Sequence, residues 1–202
     1  MFVDSPVDRS MPAGTTGLVI CYGFFGFGYI LPATFLPGLA RQLVDDPQVF
    51  GWAWPLFGLA AVMSTLVTAW GLKNVDRLRV WAVSHVLMAA GVLLPSLWLS
   101  PASIAVAALL VGGTFMVITM VGLQAVRARA STNSTAVMAR MTAAFALGQL
   151  AGPLLSATLG QLPAGHTAAL NHALQLAALG LVLSAAYLWQ MTRFEPHQGT
   201  QP

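Results

Sequence analysis

Charged positions divide this chain into long apolar stretches. No Asp, Glu, Lys or Arg occurs between Arg9 and Arg41, a gap of 31 residues, or between Asp46 and Lys73, a gap of 26. The gap from Arg79 to Arg127 holds 47 residues and that from Arg140 to Arg193 holds 52. A membrane-crossing helix needs about 20 apolar residues. The first two gaps therefore hold one helix each. The last two hold two each, because each carries a breaker at its middle: Leu94-Pro95-Ser96-Leu97-Trp98-Leu99-Ser100-Pro101 and Gly160-Gln161-Leu162-Pro163-Ala164-Gly165-His166. The pattern predicts an all-α, polytopic integral membrane protein with six helices at about 15–38, 49–72, 79–98, 102–126, 138–160 and 168–191. Residues 1–14 form the polar N-terminal segment, 15–191 the transmembrane domain and 192–202 a tail. A β-barrel would read as alternating segments of roughly 10 residues, and these runs are continuous and longer.

Composition sharpens this picture. Of the 202 residues, 57% are hydrophobic and 7% are charged, against about 25% charged in an average soluble domain. Too few charges remain to build a water-facing surface. A soluble enzyme, a disordered chain and a nucleic-acid binder are excluded, and the lipid bilayer is the first partner implied. The N-terminus is no signal peptide, since its first residues mix acids with bases and the apolar run behind them is too long. Cys21 is the single cysteine and sits in an apolar stretch, so it reads as a small buried hydrophobe.

The basic residues set an orientation. With alternate segments assigned to opposite sides, one side carries Arg9, Lys73, Arg77, Arg79, Arg127, Arg129, Arg140 and Arg193, and the other carries Arg41 beside Asp45 and Asp46. This asymmetry predicts that both termini are cytoplasmic, and an even number of helices agrees, since it returns the chain to the side it started from.

Three segments carry further information. The first is the loop Gly71-Leu72-Lys73-Asn74-Val75-Asp76-Arg77-Leu78-Arg79. It reads either as an ordinary positive-inside turn or as a degenerate Gly-x-x-x-Asp-Arg-x-x-Arg motif. In the second, Ala144, Gly148, Gly152, Ser156 and Gly160 recur every four residues and share one face of helix 5. Small residues there let helices approach closely in lipid, and Pro153 removes one backbone hydrogen bond and bends the helix. The third is helix 1, where Tyr22, Phe25 and Tyr29 share a face while Pro32 and Pro37 interrupt the ladder towards its far end. Its glycines follow no strand and do not form a nucleotide-binding loop.

On the stretches Tyr22 to Pro37, Ala139 to Pro153 and, more weakly, the 71–79 loop, the chain resembles the C-terminal half of a major facilitator superfamily transporter. The likeness is closest to the YbfB/YjiJ-type branch of bacterial inner-membrane proteins. The resemblance implies a half fold of two inverted three-helix repeats, a second six-helix half, a small solute bound near the midplane, alternating access and no cofactor. It also implies that helices 1, 2, 4 and 5 line the pathway. Residues 1–14 have the character of a mid-protein linker, so a longer parent protein is expected. The partner is then either that missing half or a second copy.

Polar groups inside the spans supply the candidate residues. No Asp or Glu lies within any predicted span, so a coupling carboxylate is expected elsewhere. Tyr22, Tyr29, Thr34, Trp54, Thr114 and Gln149 lie on the lining helices and are the candidates for the solute pathway, with interhelical bonding or packing as the alternative for each. Gln124 is a further uncharged polar group that must find a partner. His85 reads either as a proton relay or as a neutral imidazole bonded to a neighbouring carbonyl or to Ser84. Asp76, Arg77, Arg127 and Arg140 are candidates for a cytoplasmic gate, or simply topology determinants. Ser84 and His85 do not face each other on a helix, and no Gly-x-Ser-x-Gly elbow accompanies them, so no catalytic residue is expected. No residues show metal-ligand spacing. The expected function is transport of a small solute, and the rival is a non-transporting scaffold or accessory subunit.

Overall fold

A computed structural model describes residues 14–43, 53–72, 74–130, 133–161 and 165–194. Among them there are six α-helices and no strand: α1 Thr15–Leu43, α2 Ala53–Gly71, α3 Arg77–Leu97, α4 Pro101–Arg129, α5 Ser134–Leu159 and α6 Gly165–Phe194. Five carry spans long and apolar enough to cross a membrane, and α2 adds a shorter apolar run, Phe57–Gly71. Residues 1–13, 44–52, 131–132, 162–164 and 195–202 and Lys73 lie outside the described residues, and with them Leu162-Pro163-Ala164 of the second predicted breaker.

Local chemistry explains where the helices start and stop. Asp76 caps α3 by accepting a hydrogen bond from the Arg79 backbone N–H at 3.0 Å. Ser100 and Ser103 cap α4 reciprocally: each side chain accepts from the other's backbone N–H, at 3.0 and 3.1 Å, with Pro101 opening the helix. Arg41, Arg127, Arg129 and Arg193 fall in last turns, where cations complement the helix dipole.

The apolar span of α1 is Thr15–Gly38, as expected, and the helix itself continues through Pro32 and Pro37 to Leu43. Each proline removes one backbone bond and the neighbouring turns hold. Helix α5 begins at Ser134, not 138, because Ser134-Thr135-Ala136-Val137 already follow the helical path on the polar side of Arg140.

The helices pack in a specific order. α1 lies mainly along α5 and also contacts α6, α4 and α3. α3 lies against α4 and α6, and α2 rests on α4. Leu18, Phe25, Leu31, Trp81, Met88 and Ile118 are among the fully buried side chains of the main core. Hydroxyls in the apolar helices are satisfied within their own helices: Thr65 donates to Ala61 O at 2.7 Å, Thr68 to Ser64 O at 2.8 Å and Thr119 to Phe115 O at 3.0 Å. Glycines set the closest approach. A Cβ on Gly148 would collide with the Gly23 carbonyl oxygen and lie 2.7 Å from Phe27 N, and one on Gly26 would strike the Phe145 carbonyl. α1 and α5 thus touch backbone to backbone, with Gly152 and Ser156 buried further along the seam. α5 runs through half-buried Pro153 to Leu159.

Candidate functional site

Five helices contribute rings to one aromatic cluster. Tyr22, Phe25 and Tyr29 come from α1, Phe57 from α2, Trp81 and His85 from α3, Phe115 from α4 and Phe145 from α5. Tyr22 lies 5.3 Å from Phe25, 6.1 Å from Trp81 and 5.7 Å from Phe145, measured between ring centroids. Phe25 is 5.4 Å from Phe115 and 5.0 Å from Phe145. Tyr29 is 4.3 Å from Phe115 and 6.3 Å from Phe57. Most of these contacts are edge-on or tilted, an arrangement worth about 0.5–1.5 kcal/mol per pair beyond area burial.

The cluster has a buried end and an open end. Tyr22, Phe25, Trp81 and His85 are buried, whereas Tyr29, Phe57, Phe115 and Phe145 are only partly so. The Tyr22 hydroxyl lies within hydrogen-bonding reach of Thr119. One turn beyond Tyr29 the rings give way to a narrow apolar crevice of about 40 Å³. Its walls are Pro32, Ala33, Leu36 and Pro37 of α1, Phe57 of α2, and Ile104, Ala108 and Val111 of α4. That volume holds a water or two and falls well below the roughly 300–1,000 Å³ of small-molecule sites.

The structure separates the pathway candidates. Tyr22 and Tyr29 join the cluster, and Gln149 is half-buried one turn after Phe145. Thr34 is exposed. Thr114 is buried, but its hydroxyl donates to Leu110 O at 2.7 Å within its own helix. The Trp54 side chain lies outside the described residues.

His85 is fully buried and stacked on Trp81 at 5.9 Å, with Phe25 edge-on at 6.5 Å. Neither of its nitrogens, nor Trp81 Nε1, has a hydrogen-bond partner among the described residues. The expected bond to a carbonyl or to Ser84 is absent, because the imidazole is held among rings instead. Unpaired polar atoms of this kind cost about 1–3 kcal/mol each.

The basic-side candidates divide similarly. Asp76 is a helix cap. Arg77 Nε donates to Gln124 Oε1 at 3.2 Å and ties α3 to α4. Arg127 and Arg140 are exposed. Among the described residues no ion pair joins these four, and no three His, Cys, Asp or Glu side chains come together as a metal site.

Several contributors escape sequence reasoning. Phe57, Phe115 and Phe145 are single aromatics in apolar helices, with nothing in the chain to show that they converge. Phe145 is the most legible of them, since it precedes Gln149 by one turn. Gln124 could be recognised as needing a partner, but not that Arg77 supplies it.

Comparison with known proteins gives one result. No curated protein and no solved structure matches the chain. The family model described as "Uncharacterised MFS-type transporter YbfB" matches residues 2–189. Members of the superfamily are membrane transporters and generally not enzymes. The helices long enough to cross a membrane fit that setting. With nearly its whole length covered, this chain belongs to the YbfB-type family of the major facilitator superfamily.

Proposed function

We propose that the chain is one six-helix half of a secondary transporter, which binds a small solute against the aromatic face of α1, α2, α4 and α5 and works by alternating access with a second half. The observation that carries this reading is the ring cluster with its open end at Tyr29, Phe57, Phe115 and Phe145, continuing into the apolar crevice. Four different helices supply that face, so a relative movement of any one of them changes its shape. The lining is aromatic and uncharged, which favours an uncharged or amphipathic organic solute.

The packing order supports a half fold of two three-helix repeats. Exchanging each helix with the one three places away turns α1·α5 into α4·α2, turns α1·α6 into α4·α3, and leaves α1·α4 and α3·α6 unchanged. This is the pairing that two inverted triplets would produce. All six helices cross the bilayer in this reading, α2 included. The Lys/Arg bias supports both termini on the cytoplasmic side of a bacterial inner membrane. The partner half is either a further segment of the parent protein or a second copy. Asp76, Arg77, Arg127 and Arg140 lie at the cytoplasmic end, where the Arg77–Gln124 link is the element placed to act as a gate. His85 is the candidate relay, its nitrogens being available for a partner in a second conformation.

The rival is a membrane scaffold or accessory subunit, which the absence of Asp and Glu within the predicted spans would equally suit. Thiol accessibility separates the two. Tyr29→Cys and Gln149→Cys, in a Cys21→Ser background, should react with a membrane-impermeant thiol reagent if the face lines a wet pathway. If both remain unlabelled in sealed and in permeabilised vesicles, the pathway reading fails and the scaffold stands.

A further inference from the structure

The face of α1 turned away from Tyr22 and Tyr29 carries a second feature. Ile20, Phe24 and Phe27 of α1 and Leu147, Ala151 and Leu154 of α5 border an open groove of about 710 Å³. It exists because Gly23 and Gly148 bring the two backbones into contact, so that larger side chains on either side stand up as walls. Leu147 and Leu154 are 67% and 66% exposed, so this wall is not part of the core. The only lining hydroxyl, that of Thr158, donates to Leu155 O at 2.9 Å, which leaves the groove without a free donor. From Ala144 to Thr158 the groove follows fourteen residue steps of α5, roughly 21 Å at about 1.5 Å per residue. One leaflet of the hydrocarbon core is about 15 Å deep, half of about 30 Å, so a chain lying in the groove can pass through a whole leaflet.

The basic end of the groove supplies the second half of the argument. Arg140 precedes Ala144 by one turn and lies on the groove face of α5, at spacings of 4, 11, 14 and 18 from Ala144, Ala151, Leu154 and Thr158. It is exposed and makes no hydrogen bond or ion pair among the described residues. Across the seam Thr16, one turn before Ile20, is exposed at the corresponding end of α1. An unpaired guanidinium is thus stationed at the mouth of an apolar, chain-length groove. Head and tail of a phospholipid would meet complementary surfaces there, the phosphodiester at Arg140 and one acyl chain along α1 and α5.

We propose that the α1–α5 groove with Arg140 is a binding site for one anionic phospholipid of the surrounding bilayer. Arg140 holds the headgroup phosphate, and the acyl chain fills the groove between Phe24 and Leu154. The inference rests on the membrane setting and not on transport, so it stands or falls separately from the proposed function.

The test is native mass spectrometry of the full chain released from detergent, with dioleoyl phosphatidylglycerol and dioleoyl phosphatidylcholine as probes. The wild type should retain a single phosphatidylglycerol at least about fivefold more than phosphatidylcholine, as one arginine beside an anionic surface can supply. Arg140→Gln should bring the two lipids to equal retention, and Arg140→Lys should restore most of the preference. Ala151→Phe fills the groove from an exposed position and should lower retention of both lipids. Matching circular dichroism melts show that the variants are folded. Unchanged phosphatidylglycerol retention in both Arg140→Gln and Ala151→Phe overturns the proposal. So does displacement of the lipid by glycerol phosphate alone, which would mean an anion site that makes no use of the groove. Disulfide-linked dimers formed by Leu154→Cys in native membranes would also overturn it, since a second copy would then cover the groove.

Discussion

The seam between α1 and α5 makes a sharp prediction at Gly148. Alanine is the better helix former by about 1 kcal/mol, so propensity alone predicts that Gly148→Ala stabilises. Packing predicts the opposite. The added Cβ would collide with the Gly23 carbonyl oxygen and lie 2.7 Å from Phe27 N, and both are backbone atoms that move only if the helices separate. Separation forfeits dispersion contacts along the whole seam, including those of Gly26 and Gly152. Overpacking of this kind costs about 1–3 kcal/mol, which offsets the propensity gain of about 1 kcal/mol and leaves a net loss of up to about 2 kcal/mol. Gly58→Ala is the control, because a Cβ on that glycine of α2 meets nothing within 4 Å. The assay is denaturant or thermal unfolding in one detergent, followed by circular dichroism. Gly148→Ala should unfold earlier than wild type, and Gly58→Ala should match or exceed it. Equal stability of the two variants would refute the backbone-contact argument.

Other substitutions test separate parts of the structure. His85→Met replaces two unpartnered nitrogens with a thioether and should stabilise by about 1–3 kcal/mol in the same unfolding assay. If transport falls as stability rises, the imidazole is kept for function at the expense of the fold. Asp76→Ala should cost about 0.5–2 kcal/mol through loss of the α3 cap, whereas Asp76→Asn should retain stability. A transport defect in the Asn variant would then report the charge alone. Arg77→Ala and Gln124→Ala should slow vesicle flux to similar extents without altering membrane insertion, and the double variant should be no slower than either single one. Additive defects would show that the 3.2 Å bond between them is not what links α3 to α4 in function.

The sequence reveals much of the fold because in lipid the backbone must be satisfied by helices, and gaps between charges therefore mark the elements directly. Helix ends are less legible. The charge gaps mark the apolar span of α1 to Gly38, but not that the helix runs on past Pro32 and Pro37 to Leu43. The candidate site is legible only in part. Tyr22 and Tyr29 stand out by shared spacing on one helix, whereas Phe57, Phe115 and Phe145 become neighbours only through the tertiary arrangement. Thr34 and Thr114 show the converse. Both are polar residues in an apolar run, but one is exposed and the other donates to its own helix, so neither polarity nor position foretells its surroundings.

The packing order has a consequence for synthesis. The chain leaves the ribosome from its N-terminus, and α2 finds its one extensive neighbour, α4, only after residues 101–129 have followed it. α1 waits longer still, since its main partner α5 ends at Leu159. During that interval the face of α2 bearing Phe57 and the glycine face of α1 have no mate, and α2 is also the shortest apolar run of the six. The nascent helices must therefore be sheltered, by the insertion machinery or by lipid, until α5 has been made. A stop or pause between α3 and α4 would strand three helices whose mutual contacts are few. Truncated products ending there should be the first that membrane proteases remove.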